Sequence, residues 1–291
     1  MTLKALAEFI LRGRLQALIV ALVGSFFPLI SSAAIALVSL SKGAKEGILL
    51  FLWISLALVL IQQAGSENPL LTAVSIASLG IMVVAAIVHK VLASWQWTLL
   101  AIVVAAVIIS LAFGILMGSS VTSLVAAAQE MLANVRNQEQ DTQLSIELTE
   151  SILLGLVATI LAIGSMMSLM LARWWQAGIY NPGGFQKEFH SFTIEVKVAV
   201  LLVAIVLTGQ LLPNSSQIWA ELAALPLLVA GIAFVHFAVK QFGQGKQWLA
   251  FVYVGMIMLG KPVTLILVVL GLTDSLIDLR SRLEGYKNSK A

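Results

Sequence analysis

Eight apolar stretches alternate with short polar segments along the chain. An α-helix needs about 20 apolar residues to cross a hydrocarbon core of roughly 30 Å, and most of the stretches have that length. The pattern therefore predicts an all-α, polytopic membrane protein, with residues 1–291 as a single integral membrane domain. The stretches are 15–40, 47–64, 70–88, 97–117, 151–172, 194–212, 218–239 and 248–270.

Proline interrupts two of these stretches. Pro28 divides 15–40 near its middle, and Lys261-Pro262 divides 248–270. Because proline lacks an amide donor and clashes with the preceding turn, the chain should kink or reverse at both points. As helices, the arms of the first stretch reach about 18–20 Å, which is too short for a crossing. We therefore expect six full transmembrane helices plus two re-entrant hairpins. The alternative is one tilted, kinked crossing over 15–40.

The distribution of Lys and Arg distinguishes these alternatives. If all eight stretches cross, eight basic residues fall on each side of the membrane. If both proline-broken stretches return to the face they entered, 15 basic residues share one face, Arg136 alone lies on the other, and Lys261 lies in the membrane. Since cytoplasmic loops carry the excess of basic residues, the second arrangement is favoured, with both termini in the cytoplasm. Residues 3–13 are expected to form a retained interfacial helix.

Composition supports the membrane assignment and excludes several functions. The chain is 60% hydrophobic and 11% charged, with a mean hydropathy of +1.01, whereas soluble domains carry about 25% charged residues. The net charge of +3 then concerns membrane orientation, and no nucleic-acid partner is expected. There is no cysteine, only three histidines, and no zinc-protease, P-loop or nucleophile-elbow motif. We therefore expect neither an enzyme nor a metal or cofactor.

Two polar segments predict surface helices. Residues 118–150 begin with apolar residues at positions i, i+3, i+4 and i+7, which indicates an amphipathic helix in an extracytoplasmic excursion. In 271–291, Thr273 can cap a helix in which Asp278 pairs with Arg282. That segment is expected to be a cytoplasmic interfacial helix with a short tail.

Residues 173–193 are expected to form a cytoplasmic loop rich in aromatic residues. The sequence Asn-Pro-Gly-Gly within it favours a turn. An aromatic belt that anchors helix ends at the headgroups is one interpretation. Docking of a partner, or a substrate gate, is the other. The docking candidates are Arg173, Trp174, Trp175, Tyr180, Asn181, Pro182, Gly183, Gly184 and Phe185.

Polar groups at membrane depth are costly and are therefore functional candidates. Lys261 at a hairpin tip in mid-membrane needs a carboxylate, free carbonyls or a polar cavity, unless a shallow hairpin lets it reach the interface. His236 shares a helix face with Lys240, which fits a proton relay or a hydrogen-bonded helix end. Gln210 and Ser75 can line a polar pathway or pack between helices. The pathway candidates are Lys261, Pro262, Pro28, Gln210 and His236.

Two segments together resemble a known family. They are Arg-Trp-Trp-Gln…Tyr-Asn-Pro-Gly-Gly-Phe…His at 173–190 and Gly-Leu-Thr-Asp…Asp-Leu-Arg at 271–280. The chain resembles the YybS-like family of bacterial inner-membrane proteins, which carry a domain of unknown function. That family is thought to be distantly similar to the substrate-binding subunits of energy-coupling-factor vitamin transporters. The resemblance implies a bacterial inner-membrane location and six membrane helices with both termini inside.

Two hypotheses for function follow. The first is solute transport, either alone or as the membrane-embedded substrate-binding component of a transporter. Lys261 and the carbonyls near Pro28 and Pro262 would then contact the solute. The second is a non-transporting scaffold or assembly factor that binds a cytoplasmic protein through 173–193. The expected partners are the lipid bilayer and, under the second hypothesis, that protein.

Overall fold

The computed structural model describes residues 3–25, 27, 29–65, 68–138 and 148–288, which contain helices and no strand. Five helices are long and apolar enough to cross a membrane, or six if α14 and α15 form one bent span. This confirms the predicted all-α fold of a polytopic membrane protein. The helices are α1 Leu3–Arg12, α2 Arg14–Gly24, α3 Ile30–Lys42, α4 Ala44–Ala64, α5 Pro69–Leu92, α6 Trp95–Leu116, α7 Gly118–Gln138, α8 Glu150–Tyr180, α9 Gly184–His190, α10 Val196–Gln210, α11 Asn214–Glu221, α12 Leu225–Gln241, α13 Gln247–Leu259, α14 Lys261–Ile277 and α15 Leu279–Asn288.

Five of the six expected crossings correspond to long helices. These are α4, α5, α6, α8 and the continuous segment Ser215–Gln241, which contains a short 3-10 turn at Leu222–Ala224. The turn precedes Pro226, which cannot donate the next helical hydrogen bond. The sixth expected crossing, 194–212, is the 15-residue helix α10, with a rise of only about 22 Å.

Basic residues gather at one end of the helix bundle, which we call the basic end. Leu40 in the last turn of α3, Lys90 in α5, Trp95 in α6 and Arg173 in α8 line one space there. Trp219 in α11 contacts the first turn of α8 at the opposite end of the bundle, through Nε1 and the Ser151 hydroxyl (3.2 Å). The helix ends are thus grouped as expected if the first proline-broken stretch begins and ends at the basic end.

The first proline-broken stretch folds back on itself as the α2–α3 hairpin. Gly24 at the end of α2 packs against Ile30 at the start of α3. Arg14, at the start of α2, pairs with Glu46 just beyond the end of α3 (2.6 Å). Both arms therefore meet the same end of the bundle, and their 11 and 13 residues rise about 16–20 Å. Pro28 itself lies outside the described residues.

The second proline-broken stretch forms the α13–α14 hairpin, which reverses at Gly260 with φ +61°. A Cβ on Gly255 would lie 3.7 Å from Val263 Cγ2, although residues eight apart in one helix are separated by about 12 Å. A Cβ on Gly231 of α12 or Gly271 of α14 would collide with backbone of the facing helix. The two glycines therefore permit the close approach of these helices.

The surface excursion after α6 begins with the predicted amphipathic helix, α7. Val121 and Val125 are buried against the bundle, whereas Met131 and Leu132 further along are exposed. Only the first part of the apolar face is therefore packed. Residues 139–147 of the excursion lie outside the described residues.

The C-terminal interfacial helix begins later than expected. Thr273 does not cap it, because α14 continues to Ile277 and the Thr273 hydroxyl donates to the carbonyl one turn earlier (2.7 Å). The chain then bends by 74° at Asp278, whose carboxylate accepts from the Ser281 N–H (3.2 Å) and so caps α15. Arg282 Nε donates to the Ile277 carbonyl (3.0 Å) instead of the expected contact with Asp278.

Candidate functional site

The tip of the α2–α3 hairpin borders a cavity of about 260 Å³, which we call the hairpin-tip cavity. Apolar side chains of α4, α5 and α8 form much of its wall. Among the described residues no charged side chain lines it, and its polar side chains are all serines. They are Ser25, Ser31 and Ser32 of the hairpin, Ser75 and Ser78 of α5, and Ser168 of α8.

Contacts with α5 and α8 fix the depth of this tip. The hydroxyls of Ser32 and Ser78 are 2.9 Å apart, and the Ser168 hydroxyl donates to the Leu29 carbonyl (3.4 Å). Ser78 and Ser168 lie near the middle of two helices long enough to cross a membrane. The non-helical backbone of the tip therefore lies at mid-depth, and Leu29 has a left-handed φ of +75° there.

Ser31 is the most informative side chain of this cavity. It lines the cavity and is only 7% exposed, yet its hydroxyl has no hydrogen-bond partner. A buried polar group without a partner costs about 1–3 kcal/mol. The hydroxyl thus has unused hydrogen-bonding capacity beside the cavity. Of the six serines, only Ser75 was predicted from the sequence. The other five could not be recognised, because single serines are common in apolar helices.

The structure places Lys261 away from this cavity. Its ammonium pairs with the Glu221 carboxylate (2.7 Å). Glu221 lies roughly 30 Å from Gln241, measured along the helical segment Ser215–Gln241 that ends at the basic end. The expected mid-membrane position is therefore wrong, because the 17-residue α14 rises about 25 Å. Pro262 occupies the first turn of α14, where proline is tolerated. Gln210 is exposed at the end of α10.

His236 belongs to a second cavity, at the basic end. This cavity of about 570 Å³ is bordered by α8, α9, α12 and α13, and we call it the α9 cavity. His236 Nε2 and the Tyr253 hydroxyl are 2.8 Å apart, so the ring joins α12 to α13. Burial, followed by the charges of Lys240 and other nearby groups, lowers the pKa of His190 to about 4. His190 is therefore neutral at pH 7.

A series of aromatic rings connects both halves of the bundle at the basic end. Successive ring centroids lie 4.7–6.1 Å apart, within the range of favourable aromatic contacts. The series joins α5, α6, α9, α12 and α13, which no local sequence pattern revealed. Its members are His89, Trp95, Phe185, Phe189, His236 and Tyr253.

The segment 173–193 is mostly helical, because α8 continues to Tyr180 and α9 begins at Gly184. Gly183 in the intervening turn has φ +84°, a conformation that favours glycine. A Cβ on Gly184 would collide with the side chain of Asn181. The paired glycines are thus explained by the turn itself, in which Pro182 is exposed.

The docking candidates differ in accessibility. Arg173 pairs with Glu188 and donates to Gln176, and Trp175 is 2% exposed, so both hold α8 and its neighbours together. Trp174 and Tyr180 are exposed. Phe185 is half-buried within the aromatic series. Docking of a partner by the exposed part of this segment stays a prediction.

No group of three or more His, Cys, Asp or Glu suited to a metal occurs among the described residues. Comparison of the chain with known protein families, with curated proteins and with solved structures found no match.

Proposed function

We propose that this membrane protein binds a small polar solute within the bilayer and takes part in its transport. It would act alone or as the substrate-binding component of a larger transporter, in a non-enzymatic role. The observation that carries the proposal is the serine-lined cavity at mid-depth, at the tip of a hairpin that stops halfway across. Non-helical backbone at such depth occurs where protein buries it or where it lines a polar cavity.

The lining indicates the class of solute. Six hydroxyls, of which only that of Ser31 has no partner, can accept hydrogen bonds, while no described charged side chain is present to balance an ion. Burying an unpaired charge is far more costly than burying a hydrogen-bonded polar group. The preferred solute is therefore uncharged, with several hydroxyl or amide groups.

The direction of access follows from the same geometry. Both arms of the first hairpin meet the basic end, and α3 packs against α4, α5 and α8 on that side of the cavity. If the basic end faces the cytoplasm of a bacterial inner membrane, as the positive-inside rule and the resemblance of 173–190 suggest, the solute enters from outside. Both termini then lie in the cytoplasm.

Thiol accessibility tests whether the cavity is hydrated. The chain contains no cysteine, so Ser31→Cys and Ser78→Cys each introduce a single reporter. Ile108 of α6 is 60% exposed, and Ile108→Cys is the matched lipid-facing control. Because thiol reagents need a hydrated thiolate, both cavity positions should react about tenfold faster with a charged, membrane-impermeant reagent. Equal rates at all three positions would contradict the proposal.

Solute binding is tested by thermal stabilisation in detergent against a library of neutral polar solutes. Gly164 lines the hairpin-tip cavity, and a Cβ there meets nothing within 4 Å. Gly164→Leu should therefore fill the cavity and abolish stabilisation by any solute that binds the parent protein. Gly178→Leu, on the same helix but in the α9 cavity, is the control and should retain it. The proposal fails if no solute stabilises the parent protein and none co-purifies with it.

A further inference from the structure

The α9 cavity is a separate space with an amphipathic lining. Met170, Leu171 and Trp174 of α8 form an apolar wall, and Gln186, His190 and the His236–Tyr253 pair supply polar groups. Helix α9 covers the cavity at the basic end, where it contacts both α8 and α12. The space therefore offers a polar region next to an apolar wall, as an amphipathic ligand requires.

The cavity also faces the surroundings of the bundle. Trp174 on one wall is 45% exposed and Tyr253 on the other is 42% exposed. Both residues lie on helices that border the membrane, and tryptophan and tyrosine favour the headgroup level. A molecule from the adjacent leaflet thus reaches the cavity without passing through the bundle.

The charges around the cavity favour an anion. No Asp or Glu occurs among the described residues that line it. Lys240 is exposed at the end of α12, and its charge acts on His190. Glu188, the acidic residue of α9, is engaged by Arg173. Positive charge is therefore not offset by a carboxylate within the cavity.

We propose that the α9 cavity binds an anionic phospholipid, with its phosphate near His190, Tyr253 and Lys240 and an acyl chain along Met170, Leu171 and Trp174. The neutral His190 supplies a hydrogen-bond donor, the hydrogen-bonded His236–Tyr253 pair supplies further polar groups, and Lys240 supplies the charge. Each basic side chain near an anionic lipid raises the binding affinity roughly fivefold.

The experiment measures binding of phosphatidylglycerol and phosphatidylcholine to the full chain in detergent, by native mass spectrometry and thermal stabilisation. The parent protein should bind phosphatidylglycerol more tightly. Lys240→Gln should weaken that binding about fivefold, while Lys246→Gln, in the turn before α13 and not among the charges that act on His190, should leave it unchanged. Equal binding of the two lipids to the parent protein would overturn the proposal.

A second variant tests the cavity independently of charge. Gly178 lines the α9 cavity with nothing within 4 Å of an added Cβ, so Gly178→Leu should displace the acyl chain without disturbing the fold. Loss of the bound lipid in this variant but not in Gly164→Leu supports the assignment, and retention in both overturns it. Glycerol 3-phosphate at the same phosphate concentration should not stabilise the parent protein. If it does so as well as the lipid, the site takes a free phosphate instead.

Discussion

The two helical hairpins both arise from an apolar stretch that a proline interrupts, but they have different environments. In the first hairpin every residue of 31–40 is buried, because α3 is enclosed by α4, α5 and α8. In the second hairpin no residue of α13 is buried, since this helix contacts little besides α12 and α14. A proline-broken apolar stretch thus specifies a reversal of the chain, whereas its neighbours decide which arm of the hairpin is enclosed and which faces the surroundings.

The hairpin tips differ in chemistry as well as in depth. The first tip presents uncharged serines at mid-depth, and the second places the Lys261–Glu221 pair at the end of the bundle. The side chain of Lys261 is 79% exposed and that of Glu221 is 40% exposed. Charged groups are costly to remove from water. The Lys261–Glu221 pair accordingly lies at the end of the bundle, which the 17-residue α14 reaches. The shorter hairpin carries hydroxyls instead.

Removing one core side chain from each hairpin gives the largest expected contrast. Ile35 in α3 is fully buried, whereas Ile257 in α13 is 82% exposed. Ile35→Ala should lower the free energy of unfolding by about 2–5 kcal/mol, because it leaves a cavity. Ile257→Ala should change it by less than about 0.5 kcal/mol. Reversible unfolding in mixed micelles measures both, and equal losses would mean that α3 is not a core helix.

The attachment of the second hairpin to α12 depends on small residues. Gly271→Ala places a Cβ against the Leu227 carbonyl of the facing helix, so it should cost about 1–3 kcal/mol through overpacking. Gly285→Ala in α15, where a Cβ meets nothing within 4 Å, is the control and should be neutral or slightly stabilising. Thermal unfolding in one detergent compares the two. Similar stability of both variants would show that α12 and α14 do not pack closely.

The ion pair at the second tip should contribute little. A double-mutant cycle with Lys261→Met and Glu221→Gln is expected to give a coupling energy of about 0.2–1 kcal/mol, as for exposed pairs. The coupling should decrease as salt is added, because water and ions screen it. A coupling above about 2 kcal/mol, insensitive to salt, would instead place this tip inside the hydrocarbon region.

Acidification should weaken the contacts around the α9 cavity, which the second hairpin borders through Tyr253. The pKa of His190 is about 4 in the folded protein and about 6.5 when unfolded, so the unfolded chain binds more protons between these values. Stability is therefore lost as the pH falls through this window, by less than about 1 kcal/mol between pH 7 and pH 6. His190→Gln should reduce this dependence, and an unchanged pH profile would contradict it.

Periodicity, length and composition were sufficient for the fold class. Runs such as Pro69–Leu92 and Trp95–Leu116 are apolar enough to require a membrane, and this property needs no knowledge of packing. The reversals near Pro28 and at Gly260 also follow from local chemistry, because proline and glycine act on the backbone at their own positions. The depth of Lys261 differs from the expectation, because it depends on how far α14 extends along α12 toward Glu221, and no local pattern specifies that packing.

The candidate sites depend on residues far apart in the chain. Ser31, Ser78 and Ser168 meet around one cavity although nothing in their local sequences distinguishes them from packing serines. Likewise, His190, His236 and Tyr253 come together only because α9 bridges α8 and α12. A sequence of this kind specifies which segments leave water, since transfer to lipid depends on each segment's own composition. Which polar groups then face one another depends on helix packing, and only the folded bundle sets it.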